Sequence, residues 1–127
     1  MTDTAEAPFG RYAPSDLTYD AQGLIPAIVQ IASTGEVVML AYMNEETVRR
    51  TLEIGQVVFW SRSRQEVWHK GATSGDYLNL VRMFADCDQD ALVVQVELAG
   101  KGVCHTGARS DYLEADDVTP REVVLER

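Results

Sequence analysis

Apolar and polar positions change their spacing several times along this chain, and each change predicts an element. Residues 24–32, LIPAIVQIA, form an apolar, β-branched run that stops at the turn signal STG (33–35). EVVMLAY (36–42) follows, so the two runs predict a β-hairpin. In MNEETVRRTLEIG the period lengthens. Asn44 suits an N-cap, Glu45 and Glu46 fall in the first turn, Val48 and Leu52 lie four apart, and Gly55 is a natural stop. These features predict a short helix of about three turns. VVFWS (57–61) returns to strand, and the polar, basic stretch that follows contains GATSG (71–75), which reads as a loop. LNLVRMFADC and DALVVQVEL predict two more strands with DCDQD (86–90) between or within them, and AGKG (99–102) turns the chain. The tail from Tyr112 predicts a last short helix or strand. Residues 1–22, rich in Ala, Pro and Asp, are expected to form a poorly ordered arm. Residues 23–127 are then one α+β domain, mostly antiparallel sheet with one or two short helices.

Composition narrows the class. At 127 residues, 46% apolar and 24% charged, the chain is long enough for one real core. No apolar run approaches the ~20 residues that span a bilayer. The opening residues lack a basic start followed by an apolar stretch, so a cytoplasmic protein with no membrane partner is expected. A net charge of −9 argues against a nucleic-acid polymer, which needs a basic surface. The charge is uneven, however: from Val57 to Arg82, Arg62, Arg64, Lys70 and Arg82 face only Glu66 and Asp76. Such a local excess suits a small anionic ligand, although a solvated strand face of mixed charge has the same composition.

Three stretches carry candidate chemistry. In DCDQD, Asp86, Asp88 and Asp90 alternate with Cys87 and Gln89. On an extended backbone the carboxylates share one face with Cys87 on the other, and the outer two lie ~13 Å apart, too far for one ion. Either the chain turns here or the carboxylates share a hydrated cation; hard oxygen ligands with retained waters suit Mg²⁺. An acidic turn facing solvent is the plain alternative. Cys104 and His105 in GVCHTG offer a soft and a borderline metal ligand. Two cysteines far apart in such a chain read as thiols or metal ligands before a disulfide. With two cysteines and two histidines (His69, His105), a zinc site has to recruit a carboxylate or a histidine, or borrow from a second chain. FWSRSRQEVWHKGATSG combines Trp60 and Trp68 with Arg62, Arg64, Lys70 and His69. Arginine binds phosphate bidentately and aromatic faces stack bases, while two core tryptophans with basic neighbours outside fit the same string.

Taken together and in order, GLIPAIVQ, TGEVVMLAYMNEE, FWSRSRQEVWHKGATSG, DCDQDAL and CHTG resemble the phosphoribosyl-AMP cyclohydrolases of histidine biosynthesis, from about Gly23 to Ser110. The resemblance implies an intertwined homodimer with its sites at the subunit interface. It implies hydrolysis of the N1–C6 bond of the adenine ring in 1-(5-phosphoribosyl)-AMP, with one zinc per subunit activating the water and magnesium helping to hold the substrate. Carried over, Asp86, Asp88 and Asp90 are magnesium ligands. Cys87 is a zinc ligand reaching into the partner's site, and Cys104 is a zinc ligand on the near side. His105, and after it His69, would move the proton. Trp60, Arg62, Arg64, Trp68, Lys70, Thr73 and Ser74 would bind the nucleotide and its phosphates.

The family pattern has a third zinc cysteine seven residues after the one in Cys-His-Thr-Gly, where this chain has Asp111. Tyr112-Leu113 replaces the usual aromatic pair, and Ala108 a basic residue. The substitution leaves three outcomes. One is a Cys₂Asp zinc centre, which the survival of the other site residues favours. Another is a preference for Mn²⁺ or Fe²⁺. The last is a solvent-facing Asp111, a lost zinc site and a relative with a new task. Beside the cyclohydrolase reading stand two others: the same metal-activated water hydrolysing a C–N bond in another cyclic amidine or nucleotide, and a dimer that binds a nucleotide or metal without catalysis.

Overall fold

Alternation along the first strand puts Ile25, Ala27, Val29 and Ile31 on one face, and all four are buried. The computed structural model describes residues 10–126, and in it six strands form one sheet. These are β1 (Ile25–Ile31), β2 (Val37–Met43), β3 (Val58–Ser61), β4 (Glu66–His69), β5 (Leu78–Ala85) and β6 (Leu92–Leu98), with one helix, α1 (Glu45–Ile54), between β2 and β3. The spatial order is β4-β3-β2-β1-β6-β5. Most neighbours are antiparallel, but β1 and β6 at the centre run parallel, Ala27 opposite Leu92 and Ile31 opposite Val96. The sheet is therefore mixed. Gln56 bridges to Asn79, bringing the start of β5 against the residues that precede β3 and curling the sheet. The core face joins β1 to Met39 and Met43 of β2, Phe59 of β3, and Leu92, Val94 and Val96 of β6.

The hairpin β1–β2 and the capped helix form as expected. Asn44 Oδ1 accepts from the Thr47 amide at 2.8 Å, and Gly55 closes the helix with φ 76°. The buried face differs from the expected one, because Leu52 is half exposed while Thr47, Val48 and Thr51 are buried. Thr51 explains this. Its hydroxyl donates to the Thr47 carbonyl at 2.7 Å and accepts from the Val58 amide at 2.9 Å, fastening the helix to β3. Thr51→Val keeps the volume and strands a buried N–H, so it is expected to lower unfolding stability by about 1–3 kcal/mol in a denaturant titration.

Three segments depart from expectation. The basic stretch contains an edge strand, β4, paired with β3 from Val58–His69 to Ser61–Glu66. Part of the supposed loose arm is built into the fold: Pro14–Asp16 is a 3₁₀ turn, and Leu17 and Tyr19 pack on the core. Residues 1–9 lie outside the described residues. The described part of the tail forms neither helix nor strand, only an isolated bridge between Leu113 and Pro120. Among the described residues no helix is long and apolar enough to cross a membrane.

Candidate active site

The acidic segment is a turn. Asp86 Oδ1 accepts from the backbone amides of Asp90 at 3.0 Å and Ala91 at 3.3 Å, and Gln89 takes a left-handed φ of 64°. The turn draws Asp86, Asp88 and Asp90 together, with one carboxylate oxygen from each within 4.8 Å of the others. The extended geometry with ~13 Å between the outer aspartates does not occur. Strand alternation therefore does not set the direction of Cys87, which lies exposed in the turn.

Electrostatics within the cluster are uneven. Partial desolvation raises Asp86, but hydrogen bonds from Asp90 and Ala91 outweigh it and leave its pKa below the ordinary value. Asp90 moves up: it shares a hydrogen bond with Asp88, is partly desolvated, and is repelled by both neighbours. Three exposed carboxylates with hard oxygen donors at this spacing fit a hydrated divalent cation. The turn also anchors the 3₁₀ segment, since the Thr18 amide donates to the Gln89 carbonyl at 2.8 Å. Among the described residues, no other three His, Cys, Asp or Glu side chains meet.

Cys104 lies at the other end of the sheet. The turn at 86–90 precedes β6, beside Ile25 and Met43; Cys104 follows β6, on a loop fixed to the start of β2 by the Asp111 amide, which donates to the Val38 carbonyl at 2.7 Å. Seven residues of β6 separate these ends, a span of about 20 Å. Two thiolates on one zinc need sulfurs within about 4.6 Å, twice the Zn–S bond length. Within one chain Cys87 and Cys104 therefore cannot share an ion.

Around Cys104 the structure is tight. The Thr106 hydroxyl donates to Cys104 Sγ at 3.1 Å, and the Cys104 amide donates to the Ala108 carbonyl at 3.2 Å. A Cβ on Gly102 would sit 2.3 Å from Arg109 Cα, so the legs of the loop approach as only glycine allows. Lys70 is buried, its Nζ donating to the Val103 carbonyl at 2.9 Å. Burial holds its pKa below the ordinary lysine value, against the opposing pull of Asp111, Asp76 and Cys104. Of the loop's two candidate ligands, Cys104 is half-buried and Asp111 exposed.

The other expected residues divide. Trp60 and Arg62 line a cavity of about 510 Å³ with Tyr42 and Asn44, and the Arg62 guanidinium stacks 3.9 Å from the Tyr42 ring centroid. Arg64 and Trp68 line a separate cavity of about 290 Å³. Thr73 and Ser74 are exposed in the 71–75 loop, where Gly71 lies too close to the Tyr77 backbone for any side chain. His69 Nε2 sits 2.9 Å from Gln56 Oε1, its ring 5.3 Å from that of Tyr77; His105 is exposed beside Cys104. A third cavity, about 600 Å³ between α1, the 3₁₀ turn and β5, holds none of the expected residues. Asp117, which grips Arg109 beside the Cys104 loop, carries no mark in the sequence, where it is one of twenty acidic residues with no motif around it; Glu36, the other partner, lies within TGEVVMLAYMNEE, but nothing in that string points to Arg109.

Comparison with known proteins places the chain. The profile of the family described as phosphoribosyl-AMP cyclohydrolase matches residues 39–113. A phosphoribosyl-AMP cyclohydrolase of Cereibacter sphaeroides is 50% identical over 115 residues, 91% of this chain and 96% of the relative. One of Dinoroseobacter shibae is 53% identical over 104 residues, 82% of this chain and 87% of the relative. The histidine biosynthesis bifunctional protein HisIE of Halalkalibacterium halodurans is 57% identical over 100 residues, 79% of this chain but 47% of the longer relative.

Proposed function

The chain belongs to the phosphoribosyl-AMP cyclohydrolase family, and from that premise we propose that it opens the adenine ring of 1-(5-phosphoribosyl)-AMP by hydrolysis of the N1–C6 bond, as a step of histidine biosynthesis. What carries the reading is the folding of three carboxylates into a cation-sized cluster, in a chain half identical to named cyclohydrolases. Asp86, Asp88 and Asp90 would hold Mg²⁺ beside the substrate phosphates. In a chain of net charge −9 that cation offsets the repulsion that bare phosphates would meet.

Cys104 and Asp111 supply two donors of suitable kind from one loop, and Cys87 of a second copy supplies the third. This pairing is the reason to read the enzyme as a homodimer, given the opposite ends that Cys87 and Cys104 occupy. The outer face of the sheet offers a surface for it: Phe84, Val93, Ile28 and Leu40 stand in register across four strands, with Leu40 45% and Phe84 39% exposed. A zinc ion in that site supplies Lewis acidity that brings a water's pKa towards neutrality. His105, next to Cys104 and free of side-chain partners among the described residues, is the better placed base, since His69 is engaged by Gln56. Arg62 and Arg64 reach the phosphates from exposed positions, and Trp60 and Trp68 wall the two cavities. Lys70 serves the loop through Val103 and contributes positive charge from below.

Asp111 is the observation that favours a second reading, a relative with the same scaffold acting on a C–N bond of another cyclic amidine or nucleotide. Turnover of phosphoribosyl-AMP, followed by the absorbance change on ring opening, separates the two. Protein that holds zinc and leaves this substrate untouched belongs to the second reading. Asp111→Cys is expected to tighten zinc by about tenfold or more in chelator competition, because a thiolate is the softer donor. Unchanged affinity would remove Asp111 from the ligand set.

A further inference from the structure

We infer that Glu36, acting through Arg109, is a positioning residue for the loop that carries Cys104. The inference deepens the reading above and rests on it only where zinc is concerned. Arg109 grips Glu36 bidentately, Nε to Oε1 at 2.6 Å and Nη2 to Oε2 at 3.0 Å. On its other side the Arg109 amide donates to Asp117 Oδ1 at 2.7 Å, and Nη1 reaches Asp117 Oδ2 at 3.4 Å. Two parallel N–H···O bonds fix the plane of a guanidinium as a single contact cannot. Arg109 is also part of the loop's own frame, because its carbonyl accepts from the Val103 amide at 3.2 Å and its Cα lies against Gly102. From the opposite side, Lys70 holds the Val103 carbonyl. Cys104 is thus suspended between two anchored points, Val103 and Arg109. Glu36 joins them to the β1–β2 connection, where its carbonyl accepts from the Ile31 amide at 2.8 Å. A ligand pair spread over Cys104 and Asp111 keeps its spacing only while this frame is rigid.

The test compares Glu36→Ala with Glu36→Asp in the full-length protein. The rate at which a neutral disulfide reagent labels Cys104 in metal-free protein is read in a Cys87→Ser background. Amide hydrogen exchange in α1 is read in the same background as an internal control for general loosening. Glu36→Ala is expected to speed Cys104 labelling by on the order of tenfold, to leave exchange in α1 unchanged, and to be partly reversed in Glu36→Asp. Zinc affinity by chelator competition should fall by about ten- to a hundredfold. Unchanged Cys104 labelling overturns the inference, as does an equal rise in exchange across α1, which would mean general loosening. A rise at Cys104 alone upholds the clamp, and if the unsubstituted protein then binds no zinc, the zinc reading fails by itself.

Discussion

Mixing two inactive variants is expected to restore activity. Cys87→Ser and Cys104→Ser should each lower kcat by on the order of 1,000-fold, about 4 kcal/mol of transition-state stabilisation. On the proposed dimeric reading, each homodimer would lack the same sulfur at both sites. In a mixed dimer, however, one site joins the intact Cys87 of one chain to the intact Cys104 of the other, while the second site lacks both. Random exchange makes half of the dimers mixed, so about a quarter of the unsubstituted activity should return after denaturing and refolding the two variants together. The measurement is direct: turnover before and after co-refolding, with each variant refolded alone as control. The expectation follows from the length of β6, which holds the two cysteines at opposite ends of the sheet. No recovery would mean either that each chain builds its own site or that the two sulfurs do not serve one ion.

The second large effect concerns the acidic turn and has two signs. Asp90 carries the raised pKa, with Asp88 and Asp86 against it. Asp90→Asn removes one negative charge from a crowded cluster, so the metal-free protein should unfold at a slightly higher temperature than the unsubstituted chain. The same change removes a hard oxygen ligand, and ligand charge tunes divalent-cation affinity over several orders of magnitude. Mg²⁺ affinity should fall by on the order of 100-fold, and the rise in Tm expected from Mg²⁺ in the unsubstituted protein should shrink with it. Thermal scans with and without Mg²⁺ test both halves. A variant that loses stability without the cation would refute the repulsion argument, and one that keeps the full Mg²⁺ shift would remove Asp90 from the ligand set.

Much of this is legible in the sequence because it is local. The caps at Asn44 and Gly55, the period change at the helix and the turn signals around β1, β2, β5 and β6 are written within a few residues of where they act. The departures have identifiable reasons. β4 is hidden because an edge strand has one solvated side, and its Glu66, Trp68 and basic neighbours break the apolar alternation that marks an inner strand. The buried helix face differs from the hydrophobic one because Thr51 behaves as a buried connector, its hydroxyl satisfied by Val58, while hydrophobicity points to Leu52. The 3₁₀ segment reads as loose because its partner, Gln89, is some seventy residues away. In the site, three alternating aspartates indicate the chemistry, but only the turn through Gln89 sets the spacing.

The sequence by itself determined the class of element at most positions and, through five motif strings in fixed order, the family. Tertiary structure decided which ends of the strands those motifs occupy. Parallel pairing of β1 with β6, the Arg109–Glu36 grip and the distance between Cys87 and Cys104 all join residues more than sixty positions apart, or hold apart residues less than twenty apart. Short-range periodicity cannot encode such relations, because a strand fixes the separation of its ends by its rigid rise per residue, whereas its neighbours are chosen by packing of the whole sheet.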